Sequence, residues 1–272
     1  MKCDLPSPRF GTAGKWQVTR PRAAFTLVEL LTVIAVIAIL AAMLLTSLAG
    51  VRTRALKVRA HLEVVQLANA IEKYDSDYGR FPVSTNALFA ASAAGGDFTY
   101  GTNGVANATF NLINSPALSY DANNAEVIAI LMDNTNLANG VNAGHIKNPR
   151  QTVYLDPKVS GYDPSVPGPP EGGVDVNGVY RDPWGNPYVI SMDLNYDEHC
   201  KDSFYCLSKV SNRTGANSNP ALNGLSNPDT SKSDNFQYPG KVMVWSAGAN
   251  GKIDQNDPAD DKENKDNVLS WQ

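Results

Sequence analysis

One carboxylate stands inside a long apolar run. From Ala24-Phe25-Thr26-Leu27-Val28-Glu29 through Leu45 the single charge is Glu29, and neither a proline nor a second ionisable group interrupts residues 25–51. A carboxylate in a membrane helix costs at least about 2.5 kcal/mol on insertion scales, so the chemistry it offers is ion pairing with a specific cation. Other residue types capable of chemistry lie far down the chain. Cys200 and Cys206 bound the stretch Cys200-Lys201-Asp202-Ser203-Phe204-Tyr205-Cys206, beside His199. An oxidising compartment allows a disulfide there, and otherwise two thiols remain. One adjacent histidine does not complete a zinc ligand set. Between Ser246 and Trp271 acidic and amide oxygens are dense and punctuated by glycine. Calcium takes such oxygen ligands, although the spacing is not that of an EF-hand; a solvated acidic tail has the same composition. His61, His145 and His199 stand apart, and no Gly-x-Ser-x-Gly elbow presents a nucleophile, so no catalytic set emerges.

The elements that must carry these residues follow from periodicity. A span needs about 20 mostly apolar residues at 1.5 Å each, which the run from Phe25 to Val51 supplies. Beyond it, Ala60, Val64, Leu67, Ile71, Tyr74 and Tyr78 form a stripe at i, i+4, i+7 through Lys- and Glu-bearing faces, which predicts an amphipathic continuation of the same helix. Gly79 and Pro82 end it, giving a helix of roughly 80 Å from Phe25 to Tyr78. From Ser84 to Ala143 the chain is rich in Ala, Asn, Gly, Ser and Thr, and the one clear helix is 124–132. Residues 153–155 read as a short strand and 164–173 as a loop. Residues 187–196 and 241–246 read as strands, rich in β-branched and aromatic side chains and bounded by turn residues.

Charge divides along the chain. Lys2, Arg9, Lys15, Arg20 and Arg22 precede the apolar run against Asp4, while the chain beyond Val83 leans acidic within a net charge of −4 over 272 residues. That asymmetry predicts a single span with positive-inside topology, N-terminus cytoplasmic and C-terminal domain exported. Arg52, Arg54, Lys57 and Arg59 read as a solvated juxtamembrane face, and nothing suggests a basic surface for nucleic acid.

The residues Ala24-Phe25-Thr26-Leu27-Val28-Glu29 ahead of an apolar helix resemble the prepilin leader of type IV pilins and type II secretion pseudopilins. An ordinary secretory signal would instead be cut after the run, near Thr46-Ser47-Leu48-Ala49-Gly50. The resemblance implies cleavage between Ala24 and Phe25 by a prepilin peptidase, N-methylation of Phe25, and retention of the helix. The family has Gly at the position of Ala24, and often Pro at the position of Thr46. Cleavage makes Glu29 the fifth residue of the mature chain and gives it a partner, the new Phe25 amine, on its own or a neighbouring subunit. Asp77-Tyr78-Gly79-Arg80-Phe81-Pro82 is similar to the turn after the long pseudopilin helix. Asp182-Pro183-Trp184-Gly185-Asn186-Pro187-Tyr188 is similar to the sheet entry of major pseudopilins, a rigid turn with Trp184 free to pack on the helix stripe. The acidic loop is similar to the calcium loop of that family, with Asn250 in place of Asp. The resemblance implies ligands at Asn250, Asp254, Asp257, Asp266 and Asn267, with backbone oxygens near Ser246 and Ala247, and a structural calcium.

The expected fold is α+β and pilin-like: a long N-terminal helix, membrane-spanning in its first half, with a small antiparallel sheet packed on its C-terminal half. The expected layout is a leader at 1–24, a transmembrane and filament-core helix at 25–51, its amphipathic continuation at 52–82, a variable insert at 83–180, and a β region with the acidic loop at 181–272. The expected function is a structural subunit of a type II secretion pseudopilus, not an enzyme. Its expected partners are copies of itself, other pseudopilins, the prepilin peptidase, the inner-membrane assembly platform and lipid. Two alternatives stand beside it: a type IV pilin for adhesion, motility or DNA uptake, and a membrane-anchored periplasmic binding protein or enzyme.

Overall fold

The computed structural model describes residues 25–94, 96–102, 122–212 and 221–272. Helix α1 (Leu27–Tyr78) leads, followed by α2 (Thr85–Ala94), β1 (Phe98–Tyr100), α3 (Ala125–Leu131), β2 (Gly173–Val174), β3 (Tyr180–Arg181), β4 (Val189–Met192), α4 (Ser208–Ser211), β5 (Val242–Ser246) and β6 (Val268–Leu269). The chain divides into two compact units between Gly50 and Val51.

In the first unit, none of α1 from Leu27 to Leu44 is buried. Among the described residues this is the one segment long and apolar enough to cross a membrane.

In the second unit, α1 buries the stripe its spacing predicts. Ala60, Val64, Leu67, Ile71 and Tyr74 are fully covered, and Tyr78 is partly covered at the helix end. Gly79 stops the helix in the left-handed conformation, φ +62°, with its N–H on the Asp75 carbonyl. Onto this stripe packs an antiparallel sheet of strand order β1-β4-β5-β6. The register pairs Phe98 with Met192, Ile190 with Val244, and Trp245 with Leu269. Side chains alternate across a pleated strand, and here each set has its own cover. Phe98, Ile190, Met192, Val242, Val244 and Val268 join the α1 core. Val189, Met243, Trp245 and Leu269 face a second core with Phe204, Tyr205, Val210, Leu222 and Phe236. Both faces are dry, which explains why the two central strands are apolar without alternation.

The region expected to be an insert takes part in the fold. Ser84 caps α2, its Oγ accepting the Ala87 N–H at 3.1 Å, and β1 is an edge strand of the main sheet. α3 confirms the helix expected there, shortened to Ala125–Leu131. Residues 153–155 are not a strand: the N–H groups of Tyr154 and Leu155 both donate to the Leu131 carbonyl, and Tyr154 Oη–H donates to Asp77 Oδ2 at 2.8 Å. That segment is therefore pinned against the end of α1 rather than paired in a sheet.

Candidate functional site

Glu29 lies in the first turn of α1, and Thr26 engages it at once. The Thr26 N–H and Oγ1–H both donate to Glu29 Oε2 at 2.8 Å, and the Glu29 N–H returns a bond to Thr26 Oγ1 at 3.3 Å. This is a reciprocal capping box, and the spacing Thr26-x-x-Glu29 was its legible signal. It folds the carboxylate back toward the start of the helix, one residue from the Phe25 nitrogen. Phe25 itself is 81% exposed. Ala24, the other half of the expected cleavage site, lies outside the described residues.

The Asp182–Tyr188 turn is where sheet, helix and C-terminal loop meet within the second unit. Asp182 is fully buried and accepts four hydrogen bonds: from the N–H groups of Trp184 and Asn186, from Asn186 Nδ2, and from Ser246 Oγ. Asn186 Nδ2 also reaches the Gly248 carbonyl at 2.8 Å, and Tyr188 Oη–H donates to Glu63 Oε2 of α1 at 2.6 Å. Gly185 sits at φ +93°, where a Cβ would run into Pro170. Trp184 is partly buried against the α1 core, as its place in the turn predicts.

The acidic loop is organised by a residue outside the expected ligand set. Asn264, fully buried, donates through Nδ2 to the carbonyls of Asp254 and Asp257 at 2.8 Å each, and its Oδ1 accepts the Asp254 N–H at 2.8 Å. Of the expected donors, Asp257 Oδ1 is paired with Lys262 Nζ at 2.6 Å. Asn250 Nδ2 bonds the Glu263 carbonyl, and Asn267 Nδ2 bonds Tyr205 Oη. Among the described residues Asp254, Asp257 and Asp266 do not gather into a metal-holding group. The loop as folded is braced by amides.

Cys200 and Cys206 are buried thiols, not bonded to each other. Burial pushes both well above the usual thiol range. Each sits in the second core, and the Cys206 Sγ–H donates to the Ser203 carbonyl. His145 pairs with Asp133 at 2.8 Å and His199 with the Asp197 carbonyl, each in its own loop. Asp97 is a buried carboxylate that sequence reasoning missed. Its Oδ2 accepts the Lys201 N–H at 2.6 Å, and burial pushes its pKa up to about 7. No spacing rule points to it, because β1 is too short to register as a strand.

Helix α1 and the antiparallel sheet packed on its second half define an α+β, pilin-like architecture. Residues 19–45 match the model of the prokaryotic N-terminal methylation motif. The chain is 34% identical over 71 residues to the type II secretion system core protein G of Aeromonas hydrophila, a match covering 26% of this chain and 50% of that protein. It is 32% identical over 72 residues to the protein of the same description from Escherichia coli strain K12, with coverage of 26% and 50%. The chain thus spans about half the length of the curated relatives it matches. No solved structure matches.

Proposed function

We propose that the protein is a pseudopilin-like subunit of a type II secretion pseudopilus. One observation carries the reading: no part of α1 from Leu27 to Leu44 is covered by the protein's own fold. Bare helix of that composition needs lipid or other apolar helices around it. Lipid supplies this before assembly and neighbouring subunits supply it afterwards. The similarity of a quarter of the chain to proteins named type II secretion core protein G supports secretion as the setting.

In this reading the prepilin peptidase cuts between Ala24 and Phe25 on the cytoplasmic face, the Phe25 amine is methylated, and the second unit stays in the periplasm. The subunit then leaves the inner membrane through an assembly platform and joins copies of itself and other pseudopilins. Glu29 pairs with the Phe25 amine of a neighbour and sets register. The capping box supports this, because it holds the carboxylate at the helix start where the amine arises.

The test is secretion and filament yield with Glu29→Leu. The expected result is a subunit that still sediments with membranes while secretion and filaments are lost. Normal secretion with that variant overturns the assembly role. Loss of surface fibres with secretion intact, on deleting the gene, assigns the subunit to a type IV pilus instead.

A further inference from the structure

Four basic residues follow the apolar part of α1 within ten residues of Gly50: Arg52, Arg54, Lys57 and Arg59. Arg59 is committed to Glu63, Nε to Oε1 at 2.8 Å, and Glu63 in turn accepts the Tyr188 hydroxyl. Arg52, Arg54 and Lys57 are exposed, and among the described residues none has an acidic partner. From these three we infer a phospholipid headgroup site: a cationic collar that binds the phosphates of anionic lipid where the helix leaves the bilayer. The inference rests on the proposed reading of residues 25–51 as a membrane span.

Two observations select lipid over a protein partner. The first is position along the chain. The polar interfacial layer is roughly 5–8 Å deep on each side of the hydrocarbon, about four or five residues of helix. Arg52 and Arg54 fall inside that length counted from Gly50, and the long Lys57 side chain reaches back to it. The second is angular spread. At about 100° per residue, Arg52 lies on one side of the helix while Arg54 and Lys57 lie roughly opposite. A neighbouring protein surface meets one face of a helix, whereas headgroups surround it, so a ring of unpaired cations fits a lipid layer. Each basic residue held at an anionic membrane surface strengthens association roughly 5-fold, and salt screens the effect.

The experiment uses the full chain reconstituted into vesicles of phosphatidylcholine and phosphatidylglycerol, with spin-labelled lipids of each class as probes of the layer touching the protein. The expected result is enrichment of the phosphatidylglycerol probe over the phosphatidylcholine probe at low salt. It should vanish at high salt, fall roughly 5-fold or more with Arg52→Gln, Arg54→Gln and Lys57→Gln combined, and persist with Arg52→Lys and Arg54→Lys. Equal association of the two probes with the unsubstituted chain, while it floats with the vesicles, overturns the collar alone. Failure of the unsubstituted chain to float with vesicles overturns the membrane span and the collar with it. The salt comparison needs no variant, so a triple variant that fails to fold does not rescue the idea.

Discussion

Asp182 accepts two backbone amides, a side-chain amide and a hydroxyl in a site closed to water. Asp182→Ala strands all four donors and should cost about 3–5 kcal/mol of unfolding free energy, read from urea unfolding followed by tryptophan fluorescence. A loss below about 1 kcal/mol would show that the turn is held by its prolines alone. Asp97 makes a different prediction, about pH. Its folded pKa of about 7 lies above the ordinary carboxylate value, so the folded state binds a proton that the unfolded state has already released. The stability this proton gives is full below about pH 4 and is lost as pH rises to about 7. Asp97→Asn keeps the neutral form at every pH, so its melting temperature should gain on the unsubstituted protein between pH 4.5 and pH 7.5. Parallel pH curves for the two proteins would contradict the placement of Asp97.

Among the elements, α1 carries the clearest energetic claim. Leu67 is fully buried under the sheet and Leu62 is 56% exposed on the same helix. Leu67→Ala should therefore cost about 2–5 kcal/mol by chemical denaturation while Leu62→Ala stays within about 0.5 kcal/mol. Equal effects would mean that the stripe is not the packing face. This stripe was legible in the sequence because its 3.6-residue period persists for five turns, even though Val58 and Leu62 leave apolar side chains exposed on the opposite face. The two central strands were legible as apolar runs, though not their two-sided burial, which depends on Phe204, Tyr205, Val210, Leu222 and Phe236 covering the second face. α2 and β1 were missed for physical reasons. α2 is small and Ala-rich, with the Ser84 cap as its one local signal, and three residues of β1 become a strand only through their register with Met192, Ser191 and Ile190. The packing of the acidic loop was not legible either: buried Asn264 ties residues 254 and 257 together, and no ligand-spacing rule singles out an asparagine. With the loop braced in this way, Asn264→Ala should lower the melting temperature, and an unchanged melting temperature would contradict the bracing.

For the whole molecule, the apolar helix, the methylation motif at residues 19–45 and the pilin-like second unit are in keeping with the proposed account, in which a leader would be removed, the helix kept, and a new amine left beside Glu29. Glu29 stands out by its isolation in the apolar run, and the Thr26-x-x-Glu29 spacing is a readable capping box whose hold on the carboxylate the folded geometry displays. Cleavage is the step on which the rest depends, because the cation for Glu29 exists only after it. The decisive measurement is N-terminal sequencing with intact mass on protein taken from membranes of the native host. A chain beginning at N-methylated Phe25 is the predicted result. A chain beginning after Ala49 would contradict the account, since the helix that anchors and assembles the subunit would be gone.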